Sequence, residues 1–435
     1  MKVNTKLLLF LLLLSIFIPN LFNIRLIGMN LTFGRTVVIA IFLFCLCKDN
    51  GRIFFRHKLE SITVIIFGCW LTYGILLMML TKSMHKAAAK ELINIFFGVL
   101  IIYCMIRLIG DSKEMLDCAV VFTEKLIMFC VLVGIYEIIT GRHLAASIFC
   151  DLNHIKSLTE IYGNINFHQA TGFQYGTNDF SAFLTFFFPV FLLKDRRGIC
   201  DYLVIGGIAF ICAVNSSTLC ILTIILSIAF YLIKEKRVKA RHIIGIAISF
   251  IVLYAVLAWV RARYGNTFSL TAELQNHLYN YQKGNGSSYK RFWTYVQSIL
   301  IGIDTFFLGI GPANFSNYII SGSYRKVLLN PHNLWLEIFT EYGALIMVCY
   351  VTLLFVIFRK AGHIYKRYGI QKALLIQMML MGYLIVGIVP STFISYWYQW
   401  ILVALGISAI KMYETKKKGG YRAQYEKVQY NRAGL

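Results

Sequence analysis

Apolar and polar positions along this chain fall into long alternating blocks rather than single-residue alternation. Apolar runs long enough to cross a bilayer as helices, about twenty residues at 1.5 Å rise, recur from one end to the other. The blocks predict twelve spans, at roughly 6–24, 31–47, 61–81, 92–109, 117–139, 178–194, 201–215, 218–233, 242–260, 333–358, 373–390 and 395–411. The fold class this implies is an all-α polytopic membrane protein. One integral-membrane domain covers 1–410, and a basic tail covers 411–435. Leu7–Ile18 starts like a signal peptide, after Lys2 and Lys6. It lacks a small-residue cleavage site and is followed by more spans, so it reads as a retained first helix.

Basic clusters set the orientation. Lys48/Arg52/Arg56/Lys58, Lys194/Arg196/Arg197, Lys234/Lys236/Arg237/Lys239/Arg241, Arg359/Lys360/Lys366/Arg367 and the tail from Lys411 all separate apolar blocks. With the N-terminus inside, every cluster falls on the cytoplasmic side, as the positive-inside rule requires. Both termini are then cytoplasmic, in a multi-pass membrane protein. The same clusters account for the formal charge of +23, which otherwise invites a nucleic-acid reading. Topology and anionic lipid contact explain it better, and no nucleic-acid partner is expected.

The composition agrees: 58% hydrophobic and only 14% charged, against about 25% charged in soluble domains. Cys69, Cys104, Cys130, Cys212, Cys220 and Cys349 lie inside apolar blocks, and Cys150 lies in an outer loop. Cys45 and Cys47 form a lone CxC at a membrane edge. Small buried hydrophobes are the better account than a disulfide framework or a metal site.

Two outer loops are long, about 141–177 and 261–331. Loops of that length are usually functional or structured. In the second, apolar residues at 292, 295/296, 299/300 and 303 keep a helical period. This predicts an amphipathic helix lying in the membrane interface.

The candidate chemistry clusters where that loop meets the tenth span. Asn330 suits an N-cap and Pro331 the first helical position. His332 is then expected in the first turn, where free backbone N–H groups and the helix dipole keep an imidazole neutral and attract anions. The plainer reading is an interfacial polar residue capping a span. Glu337 and Glu341 share a helix face in the outer half of the span. They are expected to orient His332 or to pair with a cation of another span. Gly309-Ile310-Gly311 permits a tight turn or close approach to a ligand, and Arg291 offers a planar fork for an oxyanion. Arg35, near the outer end of the second span, is either functional or snorkelling. Gly172 precedes Asn178-Asp179, which are placed to cap the sixth span or, through Asn178, to bind a sugar hydroxyl. His168 is a weaker candidate. Glu124 and Lys125 are adjacent on the fifth span, point in different directions and need other partners.

These pieces together resemble the bacterial O-antigen ligase and polymerase superfamily, including capsule and teichuronic-acid polymerases. His332-Asn333, nine residues and then Gly343 match its ligase signature, with Ala344 where Thr or Val is usual. Gly309–Phe315 is similar to the family's glycine-rich segment ahead of the His. Gly172-Phe173…Thr177-Asn178-Asp179-Phe180 resembles its Gly-Phe…Asn-Pro-Asn motif, with Thr177 in place of Pro, and Arg291 follows a Ser/Gly-rich stretch as the family's Arg does. Asn215-Ser216-Ser217-Thr218 resembles a Thr-x-Ser-Arg turn without the Arg.

The resemblance implies transfer of a glycan from undecaprenyl pyrophosphate to a sugar hydroxyl on the outer face, for cell-surface polysaccharide. No cofactor, metal or nucleotide sugar is implied. His332 is the implied base, with Arg291 and Arg35 on the pyrophosphate and Gly172, Asn178, Gly309, Gly311, Asn333, Glu337 and Glu341 as substrate-binding or motif residues. Membrane lipids and a chain-length regulator or flippase are the implied partners. The reaction expected is polymerisation; attachment of finished glycan by a ligase is the alternative. A transporter or flippase is the second alternative, disfavoured because neither related halves nor broken midplane helices are visible.

Overall fold

The computed structural model describes residues 4–19, 21, 23–26, 29–51, 55, 57–81, 86–143, 168–174, 176–194, 197–234, 244, 248, 251, 287–321, 330–390, 394 and 396–416. In order, the helices are α1 (Thr5–Phe17), α2 (Phe33–Lys48), α3 (Lys58–Leu80), α4 (Lys86–Ile109), α5 (Lys113–Thr140), α6 (Thr177–Phe187), α7 (Pro189–Leu192), α8 (Ile199–Val214), α9 (Thr218–Lys234), α10 (Ser287–Asp304), α11 (Phe315–Ser321), α12 (Leu334–Tyr368), α13 (Gln371–Val386) and α14 (Tyr398–Lys416). Every expected span but the ninth holds a helix. The ninth, 242–260, falls almost wholly outside the described residues, as do Cys150, most of the first long loop and the tail beyond 416.

α3, α4, α5 and α12 are long and apolar enough to cross a membrane, and α1, α6–α7, α8, α9 and α13 are shorter apolar helices. The first expected span ran too far. α1 ends at Phe17 because Ile18 precedes Pro19 and takes an extended φ of −128°. The chain then forms a two-stranded antiparallel hairpin, β1 (Asn23–Leu26) and β2 (Met29–Thr32), in register Asn23↔Thr32 and Leu26↔Met29. This hairpin departs from the purely helical expectation.

Helix pairs meet closely through small residues, as membrane bundles do. α14 lies against α4, where a Cβ on Gly98 would meet the Trp400 ring at 2.4 Å. α6 is buried on all sides from Asp179 to Phe187. Its Phe183, Phe186 and Phe187 pack on Tyr398, with ring centroids 5.2–6.2 Å apart.

The two ends of the bundle differ. One carries buried and half-buried ion pairs among the described residues: Arg107 with Asp49, Lys360 with Glu414 at 2.6 Å, and buried Lys411 with Glu60 at 2.9 Å. Glu124 finds its partner here, since Lys194 donates to Glu124 and Asp201, both at 2.8 Å. Lys125 is exposed. The other end carries the hairpin, α10, α11 and the start of α12.

α10 is a helix, as its period predicts. It runs alongside the start of α12, in the same direction. Tyr295 bonds His332, 37 residues on. Gly302 faces Phe339 and Phe307 bonds Ala344, both at that same offset. The face turned to α12 is Thr294, Ser298 and Gly302 rather than the larger apolar residues, because short side chains let the backbones approach. Phe292, Trp293, Ile299, Leu300 and Ile303 stay exposed.

Candidate active site

α12 begins later than expected. Its N-cap is Asn333, whose Oδ1 accepts from Trp335 N at 3.0 Å and Leu336 N at 3.4 Å. Leu334 N donates to Gly387 O at 2.8 Å. Asn330 and Pro331 therefore lie outside the helix, and the first-turn N–H groups expected to receive an anion are already used. His332 sits just before the cap with φ +51°, a left-handed conformation uncommon for residues other than glycine. Tyr295 of α10 donates its hydroxyl to the His332 carbonyl at 3.3 Å and so holds this turn.

His332 is neutral, as the sequence predicts, but for a different reason. Its pKa is pushed down to about 4 by burial first and by the nearby Arg291 charge second. Its Nδ1 is buried without a hydrogen-bond partner, as is Nε of Arg291. Arg291 stands one helical turn before Tyr295, so α10 brings both to the histidine.

Arg291 also acts electrostatically on Asp179, a buried carboxylate in the first turn of α6 that accepts from the Tyr396 hydroxyl. Neither Asn178 nor Asp179 caps α6; the N-cap is Gly176, without a side-chain bond. Asn178 is half-buried at this end. Arg35 lies over the Phe97 ring at 5.7 Å, and Phe97 stacks on Trp397 at 5.3 Å. That sets Arg35 beside the segment carrying Tyr396, on the histidine's side of the bundle, while Arg291 is the guanidinium acting on His332 itself.

The glycine-rich stretch packs on a break in α12. Gly343 has φ +80° and ψ +170°, which interrupts the helix. Thr340 O accepts from Ile310 N at 2.9 Å and Glu341 O from Gly311 N at 3.0 Å, while Ala344 N donates to Phe307 O at 2.9 Å. Gly309 and Gly311, both at φ +96°, let the loop follow this break. The Glu341 carboxylate takes Ala313 N at 3.0 Å and Phe315 N at 3.3 Å. It therefore fixes the loop rather than meeting a cation or orienting His332.

Glu337 and Glu341 gather with Glu91 of α4, with one oxygen of each within 4.8 Å of the others and all three residues buried. Tyr342 donates to Glu91 at 2.6 Å. Among the described residues these carboxylates are the group able to hold a metal ion. Carboxylates so close need a shared proton or a cation between them.

In the other long loop, buried Glu137 accepts from Thr171 N at 2.9 Å and Gly172 N at 2.8 Å. Gly172, at φ +52°, is filled against by the Phe180 ring. His168 bonds the Ile138 carbonyl at 2.8 Å, in the last turn of α5, which Gly141 caps at φ +67°. Asn215, in the turn lacking its Arg, brackets the Ala170 peptide at 2.8 and 3.0 Å. Gly172 and His168 thus hold the loop together.

Tyr295, Tyr396 and Glu91 were not singled out from the sequence as site residues, and Asp179 was read only as a cap and a motif position. Tyr295 carried a signal, four residues after Arg291; the others meet the site through contacts distant in sequence.

Residues 202–351 match the O-antigen ligase family. The chain is also similar to the teichuronic acid biosynthesis protein TuaE of Bacillus subtilis (strain 168), 24% identical over 412 residues, 90% of this chain and 81% of that one. Both findings agree with the resemblance carried by the motifs, and the long apolar helices agree with a multi-pass membrane protein.

Proposed function

We propose that this protein is a membrane glycosyltransferase that polymerises undecaprenyl-pyrophosphate-linked oligosaccharide units into a cell-surface polysaccharide. The observation that carries the reading is the pairing of a neutral, partner-free His332 imidazole with the Arg291 guanidinium at one end of the bundle. A base and an oxyanion holder are the two groups that such a transfer needs.

His332 Nδ1 takes the proton from the acceptor hydroxyl as its oxygen attacks the anomeric carbon. The bond from that carbon to the pyrophosphate breaks, and undecaprenyl pyrophosphate leaves with the electron pair. Arg291 neutralises the departing charge, and Arg35 assists from the Phe97 side. Burial first, and the Arg291 charge second, keep the imidazole weakly basic. Donor pyrophosphate offsets that charge and raises the basicity of His332 when it is needed. Positioning and charge stabilisation suffice for a good leaving group, without a metal.

The test is His332→Ala in cells that make the polymer, with protein level measured alongside. Loss of long chains at normal protein level is expected; normal chain length would overturn the reading. The family description favours a second reading, a ligase moving finished glycan to a lipid or protein acceptor. Loss of a polymerase leaves single units on the carrier, whereas loss of a ligase leaves long chains there.

A further inference from the structure

α10 ends in Phe306-Phe307-Leu308, which are 83%, 49% and 60% exposed. Such a tip is costly in water, because large apolar side chains left hydrated forgo the stabilisation of burial. We propose that it is a wedge seated among the acyl chains at the edge of the bilayer, below the helix that presents Arg291. The proposal needs only that α3 and α12 cross the membrane, not the transfer chemistry.

The depth follows from two independent counts. Arg359 and Lys360 mark the basic end of the apolar part of α12. The unbroken helix from there back to Ala344 covers about 22 Å of a hydrocarbon core roughly 30 Å thick. Phe307 O accepts from Ala344 N, so the tip lies inside the far edge of that core. By the same offset Asp304 is level with Glu341, near the boundary, where a carboxylate is tolerated. On the other side, Tyr73 of α3 donates to Leu308 O at 2.7 Å. Beyond Tyr73, toward the same membrane face, α3 still exposes Leu76, Met79 and Leu80, about 10 Å more of apolar helix.

The surface is also continuous with the lipid-facing stripe of α12, where Leu345 and Val348 are 72% and 58% exposed. Lipid hydrocarbon is therefore the occupant, and shallow insertion of this kind matches apolar faces at the headgroup boundary. His332 then lies beyond the tip, toward the same membrane face.

The experiment uses full-length protein in proteoliposomes opened to reagent on both faces, with exposed Cys47, Cys69 and Cys200 replaced by Ser. A cysteine-linked fluorophore is placed by Phe306→Cys, by Leu308→Cys as a second variant, or by Lys290→Cys as reference. Phosphatidylcholine labelled with a nitroxide mid-chain should quench the probe at 306 and 308 several-fold more than at 290. A charged maleimide should label 290 at least tenfold faster. Labelling at 306 and 308 as fast as at 290 would overturn the proposal. So would cross-linking between copies at these positions without nitroxide quenching, which would show a second protein copy there.

Discussion

The Tyr295 hydroxyl donates to the His332 carbonyl at 3.3 Å, joining α10 to the turn before α12. One helix therefore sets both the guanidinium and the orientation of the imidazole. Tyr295→Phe should lower kcat about tenfold, the worth of one hydrogen bond of about 1 kcal/mol plus some misalignment. KM for the lipid-linked donor should stay unchanged. In a cycle with His332→Ala, the double variant should be no worse than His332→Ala alone; additive losses would separate the two residues.

The low pKa of His332, about 4, predicts a pH profile. Below its pKa a base is protonated and idle, so kcat/KM should hold level from pH 7 down to about 5 and fall only near 4. Arg291→Met removes the second cause of the depression while burial, the first, remains. Its acid limb should move to higher pH, and an unmoved limb would count against the pairing. The stability sign is the same. The unfolded histidine, near pH 6.5, binds the proton more readily, so stability is full above that value and falls as pH drops toward 4.

Asn333 accepts from two otherwise unused N–H groups of α12. Asn333→Ala should cost about 1 kcal/mol, the usual worth of an N-cap, read as a lower midpoint of thermal unfolding in detergent. Asn333→Asp should retain most of it.

Gly343 has φ +80° and ψ +170°, a region essentially reserved for glycine, and a Cβ there would meet Phe307 O at 2.5 Å. Gly343→Ala should destabilise by about 3 kcal/mol or more, from strain and a clash that moves the glycine-rich loop. Normal abundance and melting of that variant would show that the break is not required.

These last two residues bear on the signature read from the sequence, His332-Asn333 followed nine residues later by Gly343. The pattern was legible, but the meaning of each position was not. The small polar residue is the cap, and the glycine is a helix break whose carbonyls need the distant 309–311 loop.

What the sequence by itself determined is whatever depends on neighbours within a few residues. Helix positions and a helix at 287–304 follow from local periodicity and composition. The tertiary structure decided the rest. It moved the start of α12 to Leu334, filled the N–H groups expected to bind an anion, stood α10 alongside α12 and set Asp179 and Tyr396 near Arg291. Those outcomes depend on partners tens to hundreds of residues away. Local pattern sets which face of a helix is apolar, but only packing decides which distant group uses each buried polar atom.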